Sequence, residues 1–272
     1  EVRGYSLKYE ADAYHSDYCK RKLLIIETMN EIKRIIIIGA TSGIGYEVAK
    51  LYIAKGYRVG IAGRREEELK KLQNLSPQQI EIQRLDVTDE HATGQLSELI
   101  DRTGGMDIFF LSSGIGKQNP TLEAEIELNT VQTNVEGFTR MVTAAFNFFK
   151  NQPEGHIAVI SSIAGTKGLG IAPAYSATKR FQNTYIDALA QLSRMGHHRI
   201  HFTDIRPGFV ATDLLKSGKF PMLMQADRVA KQIVSALDKH KRIAVIDIRY
   251  RILVFFWKLI PNYLWERLSV KN

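Results

Sequence analysis

Tyr175 and Lys179 stand four residues apart in Ala174-Tyr175-Ser176-Ala177-Thr178-Lys179, downstream of Ser162 in Ser161-Ser162-Ile163-Ala164-Gly165. On a helix that spacing puts the phenol and the amine on one face. A free phenol, with a pKa of about 10, is a poor acid–base group near neutrality. An ammonium about 5 Å away, at an effective dielectric of about 20, favours the phenolate by roughly 3 kcal/mol, or about two pKa units. Tyr175 is then able to give a proton to a carbonyl oxygen or to take one from an alcohol. Ser162 is able to hydrogen-bond the same oxygen. Spacing alone also fits a surface Tyr–Lys pair beside an unrelated serine, so the surrounding elements must decide.

Ser162 follows the apolar run Ile157-Ala158-Val159-Ile160, which reads as a buried strand. That places it at a strand's carboxyl end, where ligands bind in open α/β sheets. A second such run, Lys33-Arg34-Ile35-Ile36-Ile37-Ile38, leads into Gly39-Ala40-Thr41-Ser42-Gly43-Ile44-Gly45 and then into a helical pattern through Glu47, Val48, Leu51 and Tyr52. A glycine-rich turn between strand and helix lets backbone N–H groups approach a pyrophosphate, and the helix's positive end favours the anion. A plain glycine-rich connection is the alternative. The next strand, Arg58-Val59-Gly60-Ile61-Ala62, ends in Gly63-Arg64-Arg65. An acidic residue there would suit a ribose 2′-hydroxyl. Arg64, with Arg65, suits a 2′-phosphate instead, which predicts NADP(H) over NAD(H); a solvated helix start is the competing reading.

The rest of the chain alternates. Strands are expected over 80–85, ending in Asp86-Val87; over 106–111, ending in Ser112-Ser113-Gly114-Ile115-Gly116; over 200–205, closed by Arg206-Pro207-Gly208-Phe209-Val210-Ala211-Thr212; and over 243–247. Helices are expected over 88–102, over 128–150 carrying Asn134, over 173–195 and over 227–238. This alternation predicts an α/β fold: a Rossmann-type doubly wound parallel sheet of about seven strands with helices on both faces. The loop over 213–225 carries Phe220, Met222, Leu223 and Met224, which suits either a bulky apolar substrate or ordinary packing.

The 272 residues, 44% hydrophobic and 24% charged, suffice for one α/β domain. The net charge of +8 comes without a basic-aromatic cluster, so no nucleic-acid partner is expected; an anionic cofactor or membrane surface remains compatible. A single cysteine, Cys19, excludes an intrachain disulfide framework and fits a reducing, cytoplasmic compartment. No apolar run approaches the roughly 20 residues of a membrane span, and Leu23-Leu24-Ile25-Ile26 is too short for a secretory signal.

Three regions are expected. Residues 1–30, polar and tyrosine-rich with a possible native start at Met29, read as an appendage without a catalytic role. Residues 31–248 form the dinucleotide-binding domain. Residues 249–272 form a basic-apolar tail in which Ile252-Leu253-Val254-Phe255-Phe256-Trp257 precedes a break at Pro261. The tail is expected to pack on the body or on a second subunit, with peripheral membrane contact as the less favoured reading. His197, His198 and His201 flank a helix stop without an acidic or cysteine partner nearby in the sequence, so no metal site is expected.

Together these motifs resemble the short-chain dehydrogenase/reductase family over residues 32–247. Gly39, Gly43 and Gly45 fit its glycine signature, although Ile38 replaces the usual threonine. The resemblance implies a catalytic set of Asn134, Ser162, Tyr175 and Lys179, with Asn134 holding a water in a proton relay and Lys179 also bonding the nicotinamide ribose. It implies a cofactor site of Gly39, Thr41, Ser42, Gly43, Ile44, Gly45, Arg64, Arg65, Asp86 and Val87, completed by Ser113, Gly114, Tyr175, Lys179, Pro207, Gly208, Val210 and Thr212. Ser112-Ser113-Gly114 departs from the family's Asn-Ala-Gly, which touches cofactor affinity rather than catalysis. The implied activity is hydride transfer between a nicotinamide and a carbonyl or secondary alcohol, in a homodimer or homotetramer built through the two long helices. A sugar-type epimerase or dehydratase, or a non-catalytic dinucleotide-binding regulator, are the alternatives on the same fold.

Overall fold

A computed structural model of the chain describes residues 32–215 and 220–270. Cys19 and the expected appendage over 1–30 lie outside the described residues, as does part of the 213–225 loop. The β-branched run becomes strand β1, Arg34–Ile38. It is joined by β2 Arg58–Gly63, β3 Ile80–Arg84, β4 Ile108–Leu111, β5 Gly155–Ile160, β6 Ile200–Arg206 and β9 Ile243–Val245. These seven form one sheet in the order β3-β2-β1-β4-β5-β6-β9, with every pairing parallel. A two-stranded annex pairs β7 Val210–Ala211 with β8 Met224–Gln225.

The pleat explains why β1 is apolar throughout. Ile35 and Ile37 enter one core, Ile36 and Ile38 the other, as period-2 side chains buried on both faces require. The first core is capped by helices Gly43–Ala54, Glu66–Gln73 and Ala226–Asp238, the second by Ala92–Thr103, Phe138–Phe149 and Pro173–Met195. β1 and β4 are neighbours, while the chain leaves them toward opposite sheet edges. This is the switch point at which such sheets open a crevice beyond the strands' carboxyl ends.

Several boundaries differ from the sequence reading. The helix expected from residue 88 begins at Ala92, because Asp86 accepts from the Thr88 N–H and hydroxyl, and Asp89 from the His91 N–H, turning 86–91 into a local loop. The helix expected over 128–150 starts at Ala124 and holds a π-helical turn, Gln132–Gly137, around Asn134. The last strand stops at Val245. Asp247 accepts from the Arg249 N–H as the N-cap of helix Ile248–Leu259.

That helix and the short Asn262–Trp265 pack onto the body, with Tyr250, Val254 and Trp265 buried. The Tyr250 hydroxyl accepts from Phe209 N at 3.0 Å and donates to Pro221 O at 3.0 Å. Gly208 lies against its ring so closely that a Cβ there would come within 2.2 Å. Tyr250→Phe should therefore remove two hydrogen bonds at the half-buried Phe209 and the exposed Pro221, at a cost of about 0.5–1.5 kcal/mol, and lower the midpoint of thermal unfolding by roughly 1–6 °C. Scanning calorimetry checks this; an unchanged midpoint would show that the hydroxyl does not hold the loop.

Candidate active site

The crevice begins at the glycine-rich turn. Gly39 N and Ala40 N both donate to Ala62 O, at 2.8 and 3.1 Å, so the turn is anchored to β2. Gly39 has φ +91°, and a Cβ on it would sit 2.6 Å from Ser113 N; one on Gly45 would sit 2.2 Å from Gly39 O. Only glycine fits where the turn, the helix and the β4 loop meet so closely. The helix Gly43–Ala54 carries no side-chain cap at Ser42, so its first N–H groups remain available to an anion. The Thr212 methyl abuts Gly43, and Val210 is buried beneath the same loop.

Arg64 and Arg65 follow β2 and are both exposed. Arg65 lies on the turn itself: its guanidinium donates to Thr41 Oγ1 at 3.0 Å and Ser42 Oγ at 2.7 Å, and pairs with Asp213 at 3.3 Å. Arg64 lies toward Asp86, 4.0 Å away. The sequence reading ranked Arg64 first; the geometry ties Arg65 more closely to the turn. Val87 packs against Gly137, and its carbonyl accepts from Arg140 at 2.7 Å.

Three chain segments bring the chemical groups together. Ser162 sits just past β5, where its hydroxyl accepts from Ala164 N at 3.1 Å and donates to Pro207 O at 3.3 Å. Tyr175 and Lys179 project from the first turns of helix Pro173–Met195. The Glu127 carboxylate accepts from Ala174 N at 2.8 Å, satisfying one of that helix's terminal donors. Lys179 Nζ lies 5.7 Å from the centre of the Tyr175 ring, as the four-residue spacing requires. Gly116 lies flat on that ring, where a Cβ would come within 2.6 Å. Asn134 is fully buried in its π-turn: its side chain accepts from Ile115 N at 2.9 Å and donates to Ile115 O at 2.7 Å.

Lys179 donates to Ile160 O and to Gln182 Oε1, each at 3.0 Å. Gln182 in turn donates from Nε2 to the main-chain carbonyl of Asn134 at 2.9 Å. Gln182 thus bridges the Lys179 ammonium and the Asn134 backbone. Behind it lies a closed network. Asp204, with no exposed surface, accepts from Ser161, Asn183 and Arg206. The sequence reading missed Gln182 and this network. Gln182 and Asn183 do stand three and four residues past Lys179, on its helix face, which was the available signal.

Burial sets the electrostatics. It drives the Lys179 amine down to about 8, with Asp204 opposing. It also pushes the Tyr175 phenol up, with the Ser162 hydrogen bond opposing. The expectation of an acidified phenol is thus corrected. The spacing disclosed the neighbouring cation but not the desolvation, which disfavours the charged form of both groups. Below about pH 8 the pair stands as phenol beside ammonium, the proton-donating arrangement.

His201 gains in the fold an acidic neighbour that the sequence did not place beside it. His201 lies on β6, and the fold brings Glu154 to 3.6 Å and His240 beside it. The Glu154, His201 and His240 donor atoms fall within 4.8 Å of one another. All three are exposed, and Glu154 also pairs with Arg199. The cluster lies at the strands' amino ends, away from the crevice.

The comparisons agree with this geometry. The family model described as short chain dehydrogenase matches residues 33–219, so the chain belongs to the short-chain dehydrogenase/reductase family of oxidoreductases. It is 32% identical to "Dehydrogenase/reductase SDR family member 7B" of Xenopus tropicalis, over 66% of this chain and 62% of that protein. The chain thus spans less than two thirds of that relative's length. It is 32% identical to an uncharacterized oxidoreductase of Myxococcus xanthus, over 69% of this chain and 76% of that one. A short chain dehydrogenase from Burkholderia cenocepacia, solved in complex with NADP, superposes with a TM-score of 0.76 at 18% identity, over 89% of this chain and 99% of that one.

If Gln182 holds the ammonium, Gln182→Leu should lower the Lys179 pKa from about 8 by roughly one unit, since a hydrogen bond to a charged group is worth about 1.5–3 kcal/mol. Gln182→Glu should raise it. A 13Cε-lysine NMR titration reads both; a Lys179 pKa indifferent to position 182 would leave Gln182 as a packing residue.

Proposed function

We propose that this protein transfers hydride between NADP(H), in preference to NAD(H), and a carbonyl or secondary alcohol. The observation that carries the reading is the meeting of Ser162, Tyr175 and Lys179 beside a turn that admits only glycine. The cradle suits a dinucleotide: a Cβ on Gly114 would meet Asn134 Oδ1 at 3.3 Å and Lys179 Nζ at 3.5 Å, so the bare backbone leaves room for a ribose edge. Gly39, Thr41, Ser42, Gly43, Ile44 and Gly45 would hold the pyrophosphate, and Asp86 and Val87 the adenine side. Ser113, Gly114, Pro207, Gly208, Val210 and Thr212 would line the nicotinamide end. When bound, the cofactor supplies the redox chemistry.

The chain's own residues handle the proton. In the reductive direction Ser162 donates a hydrogen bond to the substrate oxygen and fixes its place. Tyr175 passes its phenolic proton to that oxygen, and the Lys179 ammonium stabilises the phenolate left behind. Ile160 O and Gln182 orient the ammonium, and Asn134 pins the Ile115 backbone over the crevice. An open depression of about 360 Å³ beside Thr212 is lined also by Ala211, Asp213, Leu215, Phe220 and Leu223, which suits a substrate with both polar and apolar parts. Leu128 and Val131, with Leu192 and Met195, leave apolar side chains exposed on the two long helices, which supports a homodimer or homotetramer built there. No helix among the described residues is long and apolar enough to cross a membrane.

Tyr175→Phe should lower turnover of a ketone or aldehyde by at least about 10² while leaving dinucleotide affinity nearly unchanged. Steady-state kinetics and isothermal titration measure the two; near-native turnover would end the assignment. Arg64→Asp and Arg65→Asp, separately and together, should shift the ratio of catalytic efficiencies toward NAD(H). A ratio unmoved in all three would remove both arginines as selectors.

A further inference from the structure

Helix Ile248–Leu259 has two apolar faces, and only one is used. Tyr250 and Val254 point into the body. Ile248, Ile252, Phe255, Phe256 and Leu259 fall within an arc of about 100° at 3.6 residues per turn, on the other side. Their exposures are 62%, 53%, 60%, 58% and 62%. Tyr263, Leu264 and Leu268 continue the patch past Pro261, all exposed. So many large apolar side chains on one short segment make a contiguous surface that water disfavours.

The charge beside it has one sign. By the same helical geometry Arg249 flanks the stripe on one side, Arg251 and Lys258 on the other. Between 248 and 270 there are four basic residues and one acidic, Glu266. Arg249 is paired with Asp247 at 2.8 Å; the remainder leaves a basic rim. An apolar stripe between long cationic side chains is the pattern of a helix lying in the plane of an anionic bilayer surface, where aliphatic stems cover the apolar boundary and charged heads meet lipid headgroups.

This segment also grips the loops around the crevice. Lys167 donates to Ile260 O and Asn262 Oδ1, each at 2.8 Å, and Trp265 Nε1 donates to Gly168 O at 2.7 Å. Tyr250 holds Phe209 and Pro221. The chain that follows Ser162 and the chain that follows the Pro207-Gly208 turn are therefore fastened to the element that carries the exposed stripe.

We propose that Ile248–Leu259 and the turn after it dock, without crossing, on an anionic lipid surface and present the crevice mouth to it. The substrate class is then an apolar carbonyl or secondary alcohol dissolved in the bilayer. That last clause rests on the proposed reaction; the docking does not. The test uses the full chain and vesicles of phosphatidylcholine with or without phosphatidylserine, read by flotation on a density gradient. Wild type should float with the phosphatidylserine vesicles, less with phosphatidylcholine alone, and should be released by high salt. Phe255→Glu combined with Phe256→Glu should cut the floated fraction at least tenfold, with an unchanged unfolding midpoint and unchanged turnover of a water-soluble carbonyl. A wild type that floats with neither vesicle, or a double variant that floats equally well, overturns the proposal. So does a double variant that converts an oligomer to a monomer in light scattering while wild type ignores vesicles, since the stripe is then an interface between copies. Flotation reads docking even where no turnover is found, so failure of the reaction and failure of the surface stay distinguishable.

Discussion

A cation held out of water is the constraint on which the site turns. Lys179 is almost wholly buried, and an ammonium there is tolerated only with acceptors around it. Ile160 O comes from the end of β5 and Gln182 Oε1 from the next helical turn. Asp204 on β6 adds its charge from behind. Strand ends, helix Pro173–Met195 and π-turn must therefore be in register before the ammonium is satisfied. Once it is, Tyr175 has a stabilising charge beside it that does not have to be recruited from solvent, which is what preorganisation means in electrostatic terms.

Much of the architecture was readable because the relevant periods are short. The isoleucines of β1 alternate between two cores, Ser162 follows an apolar run, and Tyr175 and Lys179 share a helix face. Each of these is a statement about neighbours within a few residues. The glycine turn was legible for a similar reason, since its context of strand before and helix after is local. What escaped reading was long-range. Gln182 finds the carbonyl of Asn134 across 48 residues; Glu127 reaches the start of helix Pro173–Met195 across 47. Glu154 and His240 meet His201 only because β5, β6 and the turn before β9 lie side by side. The direction of the Tyr175 shift was misjudged because charge spacing is written in sequence while desolvation is a property of the assembled crevice. The preference of Arg65 for the turn hydroxyls is likewise a matter of where two adjacent side chains point after β2 ends.

The tail shows how a segment beyond the residues matched by the family model enters the site. Tyr250 fills the space that Gly208 leaves, and Lys167 and Trp265 join the loop before helix Pro173–Met195 to residues 260–265. The replacement of Asn-Ala-Gly by Ser112-Ser113-Gly114 works in the other direction, toward economy. Ser112 N and Ser113 N still donate to Ile38 O, at 2.8 and 3.1 Å, so the backbone course that brings Gly114 to Lys179 survives without the asparagine side chain.

The central claim is that Tyr175 gives up its proton only while Lys179 is charged. The most direct test follows a single turnover of the dinucleotide-loaded protein with excess carbonyl substrate, in a rapid-mixing instrument, from neutral to alkaline pH. The account requires a rate that is level at neutral pH and falls about tenfold per unit above about 8, where the Lys179 amine loses its proton. A rate that holds level or rises through that range would contradict it.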